Sequence, residues 1–165
     1  MAIKTFTTGE VLTASDTNTY LNNYDAAAAV QLTSNLSVAN GADTVITWSS
    51  SVYDNDTMFA AGTPNRLTIK TAGIYVVTAT LTWAANSTNE RISWIQKNND
   101  ASVRWGNRRG GAWTGQTEYS IAAQITCAVN DYIQIGVYQN SGGALVLNSA
   151  ATSRTRMEVA RISGL

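Results

Sequence analysis

Between Gly73 and Trp83 the sequence alternates with little freedom of interpretation. Tyr75, Val77, Ala79, Leu81 and Trp83 take every second position, and Thr78, Thr80 and Thr82 stand between them. A period of two places each set on its own face of an extended strand, whereas a helix would scatter both around its axis. The same period returns along the chain. Ile92 and Trp94 alternate with Arg91 and Ser93. Tyr119, Ile121, Ala123 and Ile125 alternate with Glu118, Ser120, Ala122 and Gln124. Ile133, Ile135 and Val137 alternate with Gln134 and Gly136, and Met157 and Val159 with Arg156, Glu158 and Ala160. Shorter candidates are Val30 to Thr33, Thr44 to Trp48, Leu67 to Ile69 and Ser102 to Trp105. About nine or ten short strands separated by turn signals predict an antiparallel β-sandwich with apolar inner faces. The single proline, Pro64, falls in the turn Gly62-Thr63-Pro64-Asn65, where it interrupts no ladder.

The first 27 residues follow another pattern. Thr13-Ala14-Ser15-Asp16 has a hydroxyl followed three residues later by an acid, which predicts a helix start and a short helix from about Ala14 to Asn23. Its large apolar groups are few: Leu12, Tyr20, Leu21 and Tyr24. A helix this short needs something to dock on, either its own domain or a larger assembly. The expected organisation is therefore a segment over 1–27 followed by one β-domain over 28–165.

Composition narrows the function classes. Charged residues are 13% of the 165, with 11 basic and 11 acidic side chains. That is about half the usual charged share and gives no net field to capture nucleic acid or an anionic membrane. Thr, Ser, Asn and Gln replace the charges, leaving a surface cheap to desolvate and suited to protein assembly or sugar contact. The lone Cys127 excludes an intrachain disulfide and reads as a small buried hydrophobe. No run of 18 apolar residues predicts membrane insertion. The first residues lack the apolar stretch of a secretory signal, so synthesis in a cytoplasm and release by lysis are expected.

There is no histidine. That removes His-based acid/base work, Ser-His-Asp nucleophilic catalysis and most zinc sites, so no enzyme and no cofactor are expected. Carboxylates remain. Asp54 and Asp56 share a polar turn with Asn55 and Thr57, which reads first as an Asx-turn and second as a weak Ca²⁺ site. Glu90 and Glu118 cannot be placed as a sugar-cleaving pair from sequence. The most unusual local composition is Arg104-Trp105-Gly106-Asn107-Arg108-Arg109-Gly110-Gly111-Ala112-Trp113. Arg104, Trp105, Arg108, Arg109 and Trp113 on a glycine-rich loop are candidates for contact with a receptor, a glycan or a phosphate-rich polymer. The alternative is a strand connection with solvated Arg and core-filling Trp residues.

Two stretches resemble known families. Asn65-Arg66-Leu67-Thr68-Ile69, followed by Ala72-Gly73-Ile74-Tyr75-Val76-Val77-Thr78-Ala79, resembles the core of C1q/TNF-like jelly rolls. Ser51-Val52-Tyr53-Asp54-Asn55-Asp56 is similar to the loop preceding that core in phage versions. Ile95-Gln96-Lys97-Asn98, Val129-Asn130-Asp131-Tyr132-Ile133-Gln134-Ile135 and Gln139-Asn140-Ser141-Gly142-Gly143 resemble later turns and strands of the same family. Asn130 stands where the family has glycine, a mild departure because Asn tolerates positive φ. Phe6-Thr7-Thr8-Gly9-Glu10-Val11-Leu12-Thr13-Ala14-Ser15-Asp16-Thr17-Asn18-Thr19-Tyr20-Leu21 resembles a segment that opens many phage tail-associated proteins.

The resemblance implies a ten-stranded jelly roll and a homotrimer in which one sheet faces the threefold axis. It places Val76, Thr78, Thr80, Ala122, Gln124, Glu158 and Ala160 on that face, with a pairing of Arg156 and Glu158 there. Attachment to other phage virion proteins would fall to Phe6, Val11, Leu12, Tyr20 and Leu21. The implied function is a non-enzymatic virion structural protein at a tail tip or fibre, presenting a host-contact surface. Capsid decoration and glycan binding are the alternatives.

Overall fold

The computed structural model describes residues 7–11, 13–14, 26–150 and 154–164. The helix expected over 14–23 lies, past Ala14, outside them, as do Phe6, Leu12, Tyr20 and Leu21.

Among the described residues twelve strands form two antiparallel sheets. The larger sheet contains β1 (Ala27–Gln31), β2 (Leu36–Val38), β4 (Ser50–Asp54), β6 (Gly73–Trp83), β9 (Thr117–Cys127), β11 (Leu145–Leu147) and β12 (Arg156–Ser163). The smaller contains β3 (Thr44–Val45), β5 (Leu67–Thr68), β7 (Arg91–Lys97), β8 (Trp105–Gly110) and β10 (Tyr132–Gln139). β6 organises the larger sheet. It pairs along its whole length with β9, and its other edge is shared by β12 and, at Trp83, β11. β12 then pairs β1, and β1 pairs β4.

The alternation of β6 is realised as predicted. Tyr75, Val77, Ala79, Leu81 and Trp83 enter the core, joined by Tyr119, Ile121, Ile125 and Cys127 of β9 and Met157 and Val159 of β12. Opposite them stand Ile95, Ile133, Ile135, Val137 and Leu67 of the smaller sheet. Burying each such aliphatic side chain is worth about 1.5–3 kcal/mol before entropy is counted. Burial also pushes the Cys127 thiol up to about 11 and the Tyr75 phenol up to about 12, so neither ionises near neutrality. Tyr75 donates its hydroxyl proton to the Thr71 carbonyl at 2.5 Å.

Four expectations are corrected. Ser102 to Trp105 is not a strand: the chain turns there, and β8 starts at Trp105. Ser51 to Asp54 is not a loop but belongs to edge strand β4. The described residues hold twelve strands where about nine or ten were expected, because short pieces share edges: β3 and β5 both pair β10, at opposite ends. Finally, the inner face of β7 is not Ile92 and Trp94. Ile95 is the β7 side chain in the central core, so Arg91 and Ser93 turn inward with it. Trp94 lies on the outer side, against Gly136 of β10, where any Cβ would strike the indole.

The turns bear out one detail. Asn130 has φ +72°, the left-handed conformation that glycine usually supplies. Beside it Asp131 accepts hydrogen bonds from Lys97 Nζ (3.1 Å), Asn98 Nδ2 (2.7 Å) and the Ala128 amide (2.9 Å), clasping two neighbouring turns together.

Candidate functional site

The outer face of the larger sheet is built from the positions between the core residues. The register aligns them in rows. Val76 stands between Gln124 and Ala160, and Ala160 continues to Ala27. Thr78 stands between Ala122 and Glu158, and that row continues to Ala29 and Tyr53. Thr80 stands between Ser120 and Arg156, followed by Gln31. All seven residues expected on one face, Val76, Thr78, Thr80, Ala122, Gln124, Glu158 and Ala160, are therefore on it together.

Ala122 and Gln124 are exposed, and the other five are half-buried. The rows are small and uncharged apart from one pair. Arg156 Nε lies 2.7 Å from Glu158 Oε1, two residues along β12. It is a charge pair rather than an aligned hydrogen bond, because that Nε has no partner of good geometry. The Arg156 guanidinium also stands 5.9 Å from the centre of the Tyr53 ring. Thr78, Thr80, Glu118, Arg154, Arg156 and Glu158 surround a shallow depression of about 320 Å³. Arg154 is held at its edge by Gln31 (3.0 Å). Such a face has shape relief, few charges to desolvate and short side chains with little entropy to lose on contact.

Sequence reasoning missed Ala27, Ala29, Gln31 and Tyr53 on this face. In the run Ala26-Ala27-Ala28-Ala29 every position is alike, so no alternation betrays which side points out. Tyr53 was hidden by the reading of its strand as a loop.

The arginine- and tryptophan-rich segment is different from a free loop. Trp105 to Gly110 form β8, paired to β7. Arg104 is committed elsewhere: its guanidinium lies 3.8 Å from the centre of the Trp94 ring and pairs with Asp43 at 2.7 Å. Arg109 pairs with Glu90 at 2.8 Å. Trp105 packs half-buried against the core. Of the five candidate contact residues, Trp113 is 64% exposed, and Arg108 is exposed with its guanidinium 5.3 Å from the centre of the Tyr119 ring. The structure thus separates the set rather than gathering it.

Asp54 serves the backbone. Its two carboxylate oxygens accept from the Met58 and Phe59 amides, both at 2.9 Å, which is turn-stabilising work. No group of three or more acidic, histidine or cysteine residues is disposed to hold a metal ion among the described residues. Val11, the one attachment candidate within them, is 80% exposed.

No family model matches the chain, and no curated protein matches it. Solved structures do. The TNF protein Eiger from S. frugiperda superposes with a TM-score of 0.63 at 11% identity, over 87% of this chain and 95% of that one. Murine APRIL superposes with a TM-score of 0.62 at 10% identity, over 82% of this chain and 99% of its own. At such identities the likeness speaks for the fold: the chain is a TNF/C1q-like jelly-roll β-sandwich.

Proposed function

We propose that the chain is a non-enzymatic homotrimer-forming module of a bacteriophage particle, with the outer face of the larger sheet turned to the threefold axis. The observation that carries the trimer is the coherence of that face. Seven positions chosen by resemblance fall into three adjoining rows of small, mostly neutral side chains. A sheet face meant for water more often carries Lys and Glu at such positions. The TNF-like fold supports the same reading, since it fits a trimeric module that does no chemistry.

The phage setting rests on the N-terminal segment and its resemblance to tail-associated proteins. In this reading residues 1–27 attach the trimer to other virion proteins at a tail tip or fibre, and the protein resides in the virion. Arg108 and Trp113 remain the side chains suited to a host-surface glycan.

Light scattering tests the core of the proposal. The expected mass in solution at micromolar concentration is three times the 17.6 kDa of the chain. A stable monomer would overturn it. Labelling intact particles then separates tail from head: signal on the capsid surface would replace the tail reading with capsid decoration. Host adsorption unchanged by Arg108→Ala together with Trp113→Ala would remove the glycan-contact reading.

A further inference from the structure

A cluster of three buried polar side chains inside the sandwich is left unexplained by the assembly reading. Arg91, Ser93 and Tyr119 are 1%, 0% and 3% exposed. Each keeps a buried polar atom without a partner among the described residues: Arg91 Nε, Ser93 Oγ and Tyr119 Oη. Buried donors are nearly always satisfied, and leaving one unmet costs about 1–3 kcal/mol.

Strand pairing brings these three side chains to one stretch of the β7–β8 ladder. Arg91 and Ser93 point inward from the same side of β7. Gly110 pairs with Arg91, and it abuts the Tyr119 hydroxyl so closely that any Cβ at Gly110 would overlap it. Ser93 pairs with Arg108, whose guanidinium carbon lies 5.3 Å from the centre of the Tyr119 ring. Tyr119 therefore reaches across the sandwich and ends at the β7–β8 ladder beside Arg91.

The charge there is one-sided. The Nη atoms of Arg91 donate to the carbonyls of Asn86 (2.5 Å), Thr88 and Asn89 (both 3.4 Å) and Gly111 (3.5 Å). Neither Arg91 nor Arg108 forms an ion pair with a carboxylate among the described residues. Burial raises the Tyr119 phenol, and both guanidinium groups pull against that rise. A water molecule could accept from Arg91 Nε and donate to the two hydroxyl oxygens, but it would leave the buried guanidinium charge uncompensated. An anion accepts from all three and offsets a buried cation.

We propose that Arg91 Nε, Ser93 Oγ and Tyr119 Oη bind a monatomic anion of the halide class inside the sandwich. The near-complete burial of all three favours a single atom over a phosphate or sulfate. The site is independent of the trimer and phage readings.

Thermal unfolding tests it with chloride replacing gluconate at constant ionic strength. For the native chain the midpoint should rise with chloride and then saturate. Tyr119→Phe keeps the ring beneath Arg108 and deletes only the hydroxyl, so it should fold. Tyr119→Phe and Ser93→Ala should each weaken the apparent chloride affinity at least tenfold. In gluconate Tyr119→Phe should be no less stable than the native chain. A native chain indifferent to chloride, or a chloride response retained in both variants, would overturn the proposal. So would equal destabilisation of Tyr119→Phe in both salts, which would mean a structural partner for the hydroxyl. Crystals grown in bromide should show an anomalous peak within hydrogen-bond reach of Arg91 Nε and Tyr119 Oη. A peak elsewhere only, an adventitious ion only, would count against it.

Discussion

On the outer side of the smaller sheet, Trp94 lies against Gly136 and beneath the Arg104 guanidinium. Its indole N–H donates to Gln96 at 2.8 Å, and Gln96 donates in turn to Gln134 at 3.1 Å. Trp94, Gln96 and Gln134 are no more than 2% exposed. On the outer side of the larger sheet the corresponding positions hold Val76, Thr78, Thr80 and Ala160, all half-exposed, beside exposed Ala122 and Gln124. One face is sealed by the chain's own turn over residues 98–104 and by paired amides. The other is small, neutral and open. The difference teaches where this fold spends its polar groups: a face completed within the chain can use a large aromatic and a hydrogen-bonded ladder. A face that copies would complete, as proposed for the larger sheet, needs side chains that are cheap to desolvate.

The largest expected effect attacks the open face. Val76→Glu sets a carboxylate between Gln124 and Ala160, with no cationic neighbour in its row. At a threefold contact three such charges meet, and like-charge juxtaposition costs several kcal/mol. Light scattering should then read the monomer mass while circular dichroism keeps its β signature. A variant that stays trimeric would break the assignment of this face. Next comes Trp94→Ala on the sealed face. Its expected cost is about 3–5 kcal/mol in urea unfolding, as for other buried aromatics, with the oligomeric mass retained. A loss under 1 kcal/mol would mean that the cover formed by Arg104 contributes nothing.

How far these faces were readable in the sequence depends on what lay behind each strand. β6 was plain because five large apolar residues alternate with threonines, and one side of it faces the core while the other does not. The outward set followed once resemblance had placed three strands in one sheet, since strand phase then sorts Val76, Thr78, Thr80, Ala122, Gln124, Glu158 and Ala160 away from the core. β7 misled because it is buried on both sides: six of its seven residues are buried, so apolarity at Ile92 and Trp94 no longer marks the inside. An inward Arg91 is tolerated through four backbone carbonyls from positions 86 to 111, a non-local arrangement that no window of sequence displays. The contact segment was overread for a similar reason. Arg104 and Arg109 look free in sequence, and their partners Asp43 and Glu90 are distant along the chain.

A smaller effect probes the seal itself. Arg104→Met keeps an apolar stem over Trp94 but removes the cation over its ring and the pair with Asp43. The pair is partly solvated and worth little, so most of an expected loss of about 1–2 kcal/mol belongs to the cation–π contact. Arg104→Lys should recover less than half of it if the planar stacking matters. Full recovery would assign the effect to charge alone.

The smallest effect separates the two sheets by pH. Burial would raise the Asp131 carboxyl, but the donors Asn98, the Ala128 amide and Lys97 outweigh it and hold it below the usual carboxylate range. A depressed folded value means that its stabilisation is complete above the unfolded value of about 3.9 and is lost as pH falls through the lower folded value. Acid should therefore loosen the clasp between the turns at 97–100 and 128–131 while the centres of β6 and β9 stay protected. Hydrogen exchange labelled between pH 5 and pH 3, corrected for intrinsic rates, should show faster opening of the Tyr132 and Asn98 amides, which bond across that clasp. Asp131→Asn should make their opening independent of pH in this range. If acid instead opened β6 and β9 first, the weaker construction would lie in the larger sheet, and the contrast between a self-sealed face and an open one would be reversed.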